Sequence, residues 1–126
     1  MYSERLKLDS PSDLRESLRR AMRDGGVPAR VADDVLLATQ EACNNALRHG
    51  EGAGGCEIWV SFPRTAVVVE VGDRGAGFDL DEVVRQWPPS PTATGGRGLY
   101  IISHLTDSLE VVRRERGTLV RMVKRL

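Results

Sequence analysis

Two hydrophobic periods alternate along this chain, and each change of period marks a change of element. Residues 4–9 (ERLKLD) alternate polar and apolar, the two-residue period of a half-buried strand, short enough for the edge of a sheet. Leu14, Leu18, Ala21 and Met22 follow at i, i+4, i+7 and i+8, one stripe of a helix. Ser10 is placed to cap that helix, Pro11 fits its first position and Asp13 stands where a capping-box acid belongs. Gly25 and Gly26 stop it, and Pro28 opens a longer helix that runs to about His49. After the loop 50–55 (GEGAGG), the β-branched runs 57–62 and 65–72 predict two strands joined by a tight turn at Pro63 and Arg64. Residues 73–97 are largely irregular, with one helical patch (DLDEVVRQW) and a Pro/Thr/Gly-rich stretch. A third helix is expected from about Gly98 to His104. Two last strands, 108–115 and 118–124, meet at Arg116 and Gly117.

Strands joined by short turns pair antiparallel, and the helices must cover one face of the sheet they form. The expectation is therefore an α+β, two-layer sandwich with a mixed, mostly antiparallel sheet, as a single domain over residues 1–126. The stretch before the last helix, roughly 20 residues without a regular pattern, reads as a functional lid or as disorder.

Composition narrows the function classes. Hydrophobic residues make up 40% of the 126 and charged residues 29%, with a formal net charge of zero. That balance argues against direct nucleic-acid binding and against an anionic membrane, since both require a positive excess. The first ten residues hold no apolar signal segment, and no apolar run is long enough for a bilayer, so the expected location is cytoplasmic. Cys43 falls in the second helix as an expected buried thiol. With Cys56 as the only other cysteine, neither a zinc site nor a disulfide is expected.

Four short motifs carry candidate chemistry. Glu41 and Asn45 lie one helical turn apart on one face, with Leu37 and Ala38 expected to point toward the core one turn earlier. A carboxylate there can accept a proton or orient a nucleophile, and a carboxamide oxygen is a hard ligand suited to Mg²⁺. Asp73 follows a strand directly and can accept a hydrogen bond from an exocyclic amine, while Gly75 and Gly77 let the backbone approach a flat base. Gly96, Arg97, Gly98 and Leu99 lead into an apolar helix, where backbone N–H groups and the helix dipole favour phosphate. Gly117 and Thr118 form a hairpin. The glycine cluster is neither a Walker-type loop nor a Rossmann fingerprint.

In this order, E-x-x-x-N, D-x-G-x-G, G-x-G-L and G-T resemble the N, G1, G2 and G3 boxes of the GHKL ATPases, whose members include gyrase, heat-shock chaperones and histidine kinases. The resemblance covers the chain from its first strand onward and is most similar to the anti-sigma factor serine/threonine-protein kinase branch. It implies a Bergerat-type ATP-binding fold with ATP and Mg²⁺ as cofactors. By that resemblance Asn45 would coordinate Mg²⁺ and Glu41 would serve as general base toward a serine hydroxyl. Asp73 would bond the adenine amine, with Gly75 and Gly77 clearing space for the base. Gly96, Gly98 and the Leu99 amide would cradle phosphates, Arg97 would offset their charge, and Thr118 would help close the adenine pocket.

The same resemblance implies two partners, a sigma factor to sequester and a STAS-type anti-sigma antagonist to phosphorylate, and a homodimer. Residues 2–25 are the expected partner surface, because Arg15, Arg19 and Arg23 form one stripe there. Two departures from the family pattern are visible: Cys43 inside the N box, and a short proline-rich lid. An ATP-binding switch that holds its partner without phosphotransfer is the alternative reading, and an α+β interaction module whose glycines only make turns is a third.

Overall fold

The computed structural model describes residues 5–8, 13–49, 56–73, 80–89, 97–115 and 117–126, without the side chains of residues 47–49. Its elements are β1 (Leu6–Leu8), α1 (Leu14–Asp24), α2 (Ala29–His49), β2 (Glu57–Ser61), β3 (Ala66–Gly72), α3 (Leu80–Val84), α4 (Arg97–Leu105), β4 (Ser108–Arg113) and β5 (Thr118–Arg125). The strands form one five-stranded sheet in the order β1-β2-β3-β5-β4. Every described pairing is antiparallel, so the expected mixed character is not seen. As expected, β1 is a short edge strand.

The register explains which face is dry. Ile58 pairs with Val71, Val60 with Val69, and Val71 with Val120, so alternate residues of adjacent strands line up on one side. Those residues join Leu14, Leu18, Met22, Val31, Val35 and Ile102 from the helices in one core. The opposite side carries a cross-strand row of Lys7, Trp59, Glu70, Arg121 and Glu110. There the Arg5 guanidinium stacks 4.2 Å from the centre of the Trp59 ring and bonds Glu70 at 2.8 Å. An α+β two-layer arrangement with helices on one face is thus present.

The start of α1 differs from the expectation. Asp13 itself occupies the N-cap position and makes no side-chain cap bond, and Ser10 and Pro11 lie outside the described residues. The stop is as read: Gly25 N–H donates to Ala21 O at 2.9 Å, and Gly26 takes the left-handed φ of 77° that a side chain would resist. Phe62 packs so closely over Gly25 that a Cβ there would sit 3.0 Å from its ring. At the start of α2, the Pro28 carbonyl accepts from the N–H groups of Val31 and Ala32. The hydroxyl of Thr39, wholly buried in α2, donates back to Val35 O at 2.7 Å and so does not compete with the apolar packing around it. No described helix is long and apolar enough to cross a membrane.

Candidate functional site

Central strand β3 ends at Gly72, and the next residue, Asp73, is 5% exposed. A carboxylate so deeply buried needs hydrogen-bond donors. The register supplies one, because Gly72 pairs with Leu119 and this brings Asp73 opposite Thr118. Asp73 N–H donates to Thr118 O at 2.9 Å, and the Thr118 hydroxyl, 1% exposed, donates to Asp73 Oδ2 at 2.9 Å. A third contact comes from just beyond β4, where Arg114 Nη2 donates to the Asp73 carbonyl at 3.0 Å. Arg114 N–H bonds Gly117 O at 3.0 Å, closing the β4–β5 turn. Arg114 Nε is buried and finds no hydrogen-bond partner among the described residues.

On the other side of Asp73, the pairing of Glu57 with Gly72 carries Cys56 alongside it. Cys56, Asp73 and Thr118 therefore form one row across three strands on the helix-covered side, continuing the alternation of Ile58, Val71 and Val120. Cys43 of α2 and Cys56 are both buried in the same core, and each shifts the other's thiol. The Cys43 thiol is held far above the usual thiol range, first by the hydrogen bond it donates, then by burial and by the charge Cys56 would carry. The Cys56 thiol is lowered by that same bond, against the opposing effects of burial and of the nearby Asp73 carboxylate. Cys43 is buried as expected.

Glu41 and Asn45 sit half-buried at the edge of the α2 core face. Ala38 and Ala42 are buried beneath them, whereas Leu37, expected in the core, is 45% exposed. The line Leu37–Glu41–Asn45 runs along the border of the apolar face, and Ala38–Ala42–Ala46 runs inside it. Against that border packs the start of α4. A Cβ on Gly98 would meet Glu41 Oε2 at 3.5 Å and Asn45 Oδ1 at 3.9 Å, so the missing side chain keeps room beside both polar groups. Leu99 is 3% exposed and anchors α4 in the core, while Arg97 opens the helix on the exposed side.

Seven of the expected site residues are described, in two groups. Asp73 and Thr118 touch each other; Glu41, Asn45 and Gly98 come together at the α2–α4 contact, flanked by Arg97 and Leu99. Gly75, Gly77 and Gly96 lie outside the described residues. Arg114 and Trp87 were not anticipated. Trp87 packs edge-on against Tyr100 of α4 at 5.5 Å, and Tyr100 against His104 at 4.4 Å, which ties the segment after α3 to that helix.

The chemistry available is specific. A buried acceptor at a strand end, backed by a threonine, suits an amine on a flat ring. A carboxylate and a carboxamide oxygen beside a helix start suit a cation and a phosphate chain. The donor set thus fits a magnesium nucleotide. Comparison with known proteins agrees. The model of the histidine kinase-like ATPase domain matches residues 5–124. The serine-protein kinase RsbW of Bacillus velezensis is 32% identical over 104 residues, covering 75% of this chain and 64% of that protein. RsbW of Bacillus subtilis is 33% identical over 105 residues, again covering 75% of this chain and 64% of the relative. The chain thus spans less than two thirds of the length of these relatives. The match over nearly its whole length, with Asp73 and Thr118 joined at the centre of the sheet, means that this chain belongs to the histidine kinase-like ATPase domain family.

Proposed function

We propose that residues 1–126 act as one ATP-binding domain, an ATP-dependent serine/threonine protein kinase that doubles as an anti-sigma factor. The observation that carries this reading is the buried pair of Asp73 and Thr118, whose 2.9 Å hydrogen bond presets an acidic acceptor at the end of the central strand. Asp73 accepts the adenine amine, with Gly75 and Gly77 giving the base room, and Thr118 holds the carboxylate rotamer. Asn45 presents its side-chain oxygen to Mg²⁺, and Gly96, Gly98 and the Leu99 amide line the phosphate path with Arg97 offsetting charge. Bound magnesium supplies neutralisation of the phosphate oxygens during transfer. Glu41 orients the acceptor hydroxyl and takes its proton. Catalysis of this kind rests on positioning and electrostatics.

The acceptor is a serine or threonine, which the serine-protein kinase names of the RsbW relatives support; its place on a STAS-type anti-sigma antagonist, and a sigma factor as the sequestered partner, rest on the motif resemblance. A cytoplasmic homodimer is the proposed working state. Arg15, Arg19 and Arg23 are all exposed along α1 and are proposed as the partner surface, although Arg19 also faces Asp33 at 3.9 Å.

The test is calorimetric titration of Mg-ATP into the wild type, Asp73→Asn and Glu41→Ala, followed by phosphotransfer to a STAS-type acceptor. Loss of a charge-assisted bond of roughly 1.5–3 kcal/mol predicts about 10- to 150-fold weaker binding in Asp73→Asn. Glu41→Ala keeps nucleotide binding and loses turnover. Binding without turnover in the wild type would replace the kinase reading by the ATP-dependent switch, and no binding would remove both.

A further inference from the structure

The turn that joins β4 to β5 grips Asp73 from two residues. Thr118 O accepts the Asp73 N–H at 2.9 Å, the Thr118 hydroxyl donates to Asp73 Oδ2 at 2.9 Å, and Arg114 Nη2 donates to Asp73 O at 3.0 Å. The Arg114 N–H bonds Gly117 O at 3.0 Å, so both gripping residues hang from one closed turn. Thr118 begins β5, the strand paired with β3. Arg114 reaches Asp73 from just beyond β4, although β5 lies between β3 and β4 in the sheet.

The arginine also comes from the other side of that sheet. Gly72 pairs with Glu57 and Leu119, in the row that alternates with Val71, so a side chain on Gly72 would point away from the helices. The Arg114 guanidinium fills that place: Nη2, Cζ and Nη1 fall 2.6, 3.1 and 3.2 Å from where a Cβ of Gly72 would be. Its Nε is buried there without a hydrogen-bond partner among the described residues, which counts against stability as the sole reason for the contact.

We propose that Arg114 is a positioning residue for base recognition, aiming the Asp73 carboxylate at an exocyclic amine and so setting the preference for a base that carries one. The proposal rests on the ATP-binding reading above and adds to it a residue outside the four motifs. Thr118 holds the peptide before the Asp73 Cα, and Arg114 holds the peptide after it. Peptide units are planar, so holding both fixes the backbone dihedrals of Asp73 and the direction in which its side chain leaves. A hydrogen bond weakens steeply with misalignment. Without Arg114 the carboxylate loses the part of the affinity that depends on the amine. The part that comes from magnesium and the phosphates stays, because Glu41, Asn45 and Gly98 meet elsewhere, at the α2–α4 contact. Arg114 works from the uncovered face and acts only through Asp73.

The experiment titrates two magnesium nucleotides into the full chain: ATP, and purine riboside triphosphate, in which hydrogen replaces the 6-amino group. The proteins are wild type, Arg114→Met, which keeps most of the stem, and Arg114→Ala, at a temperature where circular dichroism shows each one folded; two variants guard against one failing to fold. Expected is an ATP affinity about tenfold lower in the variants, with affinity for the deaminated analogue unchanged within about twofold. Equal losses for both nucleotides overturn the proposal and make Arg114 a structural residue. Unchanged ATP affinity overturns it as well. A wild type that binds ATP no more tightly than the analogue shows that Asp73 does not read the amine, which overturns the proposal while nucleotide binding stands. A wild type that binds neither nucleotide removes the ATP-binding reading itself, and the positioning role with it.

Discussion

The Arg114 guanidinium lies where the side chain of any other residue at position 72 would begin: a Cβ built on Gly72 falls 2.6 Å from Arg114 Nη2. The same Nη2 donates to the carbonyl of Asp73. The absence of a side chain at the last residue of β3 therefore lets an arginine cross it and hold the backbone of the residue beyond. Gly72→Ala is expected to push the guanidinium off and break that bond, as Arg114→Ala does directly. Each should cost about 1 kcal/mol, and the double variant should cost clearly less than the sum. Urea denaturation of the four proteins checks this; full additivity would mean that the two residues act independently.

Thr118 is expected to act through its hydroxyl. Thr118→Val keeps the shape but leaves the buried Asp73 Oδ2 without this donor, at a cost of roughly 1–3 kcal/mol. Thr118→Ser keeps the donor and loses one methyl group, at a cost of about 1 kcal/mol. Denaturation midpoints should therefore fall in the order wild type, Ser, Val, and Mg-ATP affinity should follow the same order.

Gly98 separates binding from folding. A Cβ there meets Glu41 Oε2 at 3.5 Å, an ordinary contact, so Gly98→Ala should fold with an unchanged or raised Tm. The added methyl occupies the space kept beside Glu41 and Asn45. Mg-ATP affinity should fall about tenfold, near 1.4 kcal/mol. A drop in Tm together with affinity would show instead that position 98 matters for packing.

Trp87 offers an optical report on the same region. Its ring contacts Tyr100 of α4, three residues after Arg97, whereas Trp59 lies under Arg5 on the other side of the sheet. In Trp59→Phe, with Trp87 as the single indole, Mg-ATP should change the emission. In Trp87→Phe it should not. Calorimetric binding with a silent Trp87 would separate α4 from the nucleotide.

Local pattern was enough for most of the fold. The period-2 and helical stripes located every element within a few residues, because burial of one face dictates those periods. The errors fell where local chemistry was ambiguous. Ser10 looked like a better cap than Asp13, and Leu37 looked like core because it shares a helix face with Glu41, though that face straddles the border of the core. Glu41, Asn45, Asp73, Gly98 and Thr118 were candidates from the fixed order of their motifs, and the fold gathers them into two groups. Arg114 was not: its partner is 41 residues away, and only the β3–β5 register reveals it.

The neighbour relations of the sheet also set an order of events in folding. Strand β3 pairs with β2 on one side, its neighbour in the chain, and on the other with β5, reached only after α3, α4 and β4. The Asp73 side chain gains its Thr118 donor only when that distant pairing closes. Such non-local pairing is slow, because the loop entropy is lost before the contacts form. Nucleotide competence should therefore be acquired late in refolding, with the fully zipped sheet, and a partly folded chain should have none. A nucleotide that binds only the closed sheet will, in turn, draw the folding equilibrium toward it by mass action.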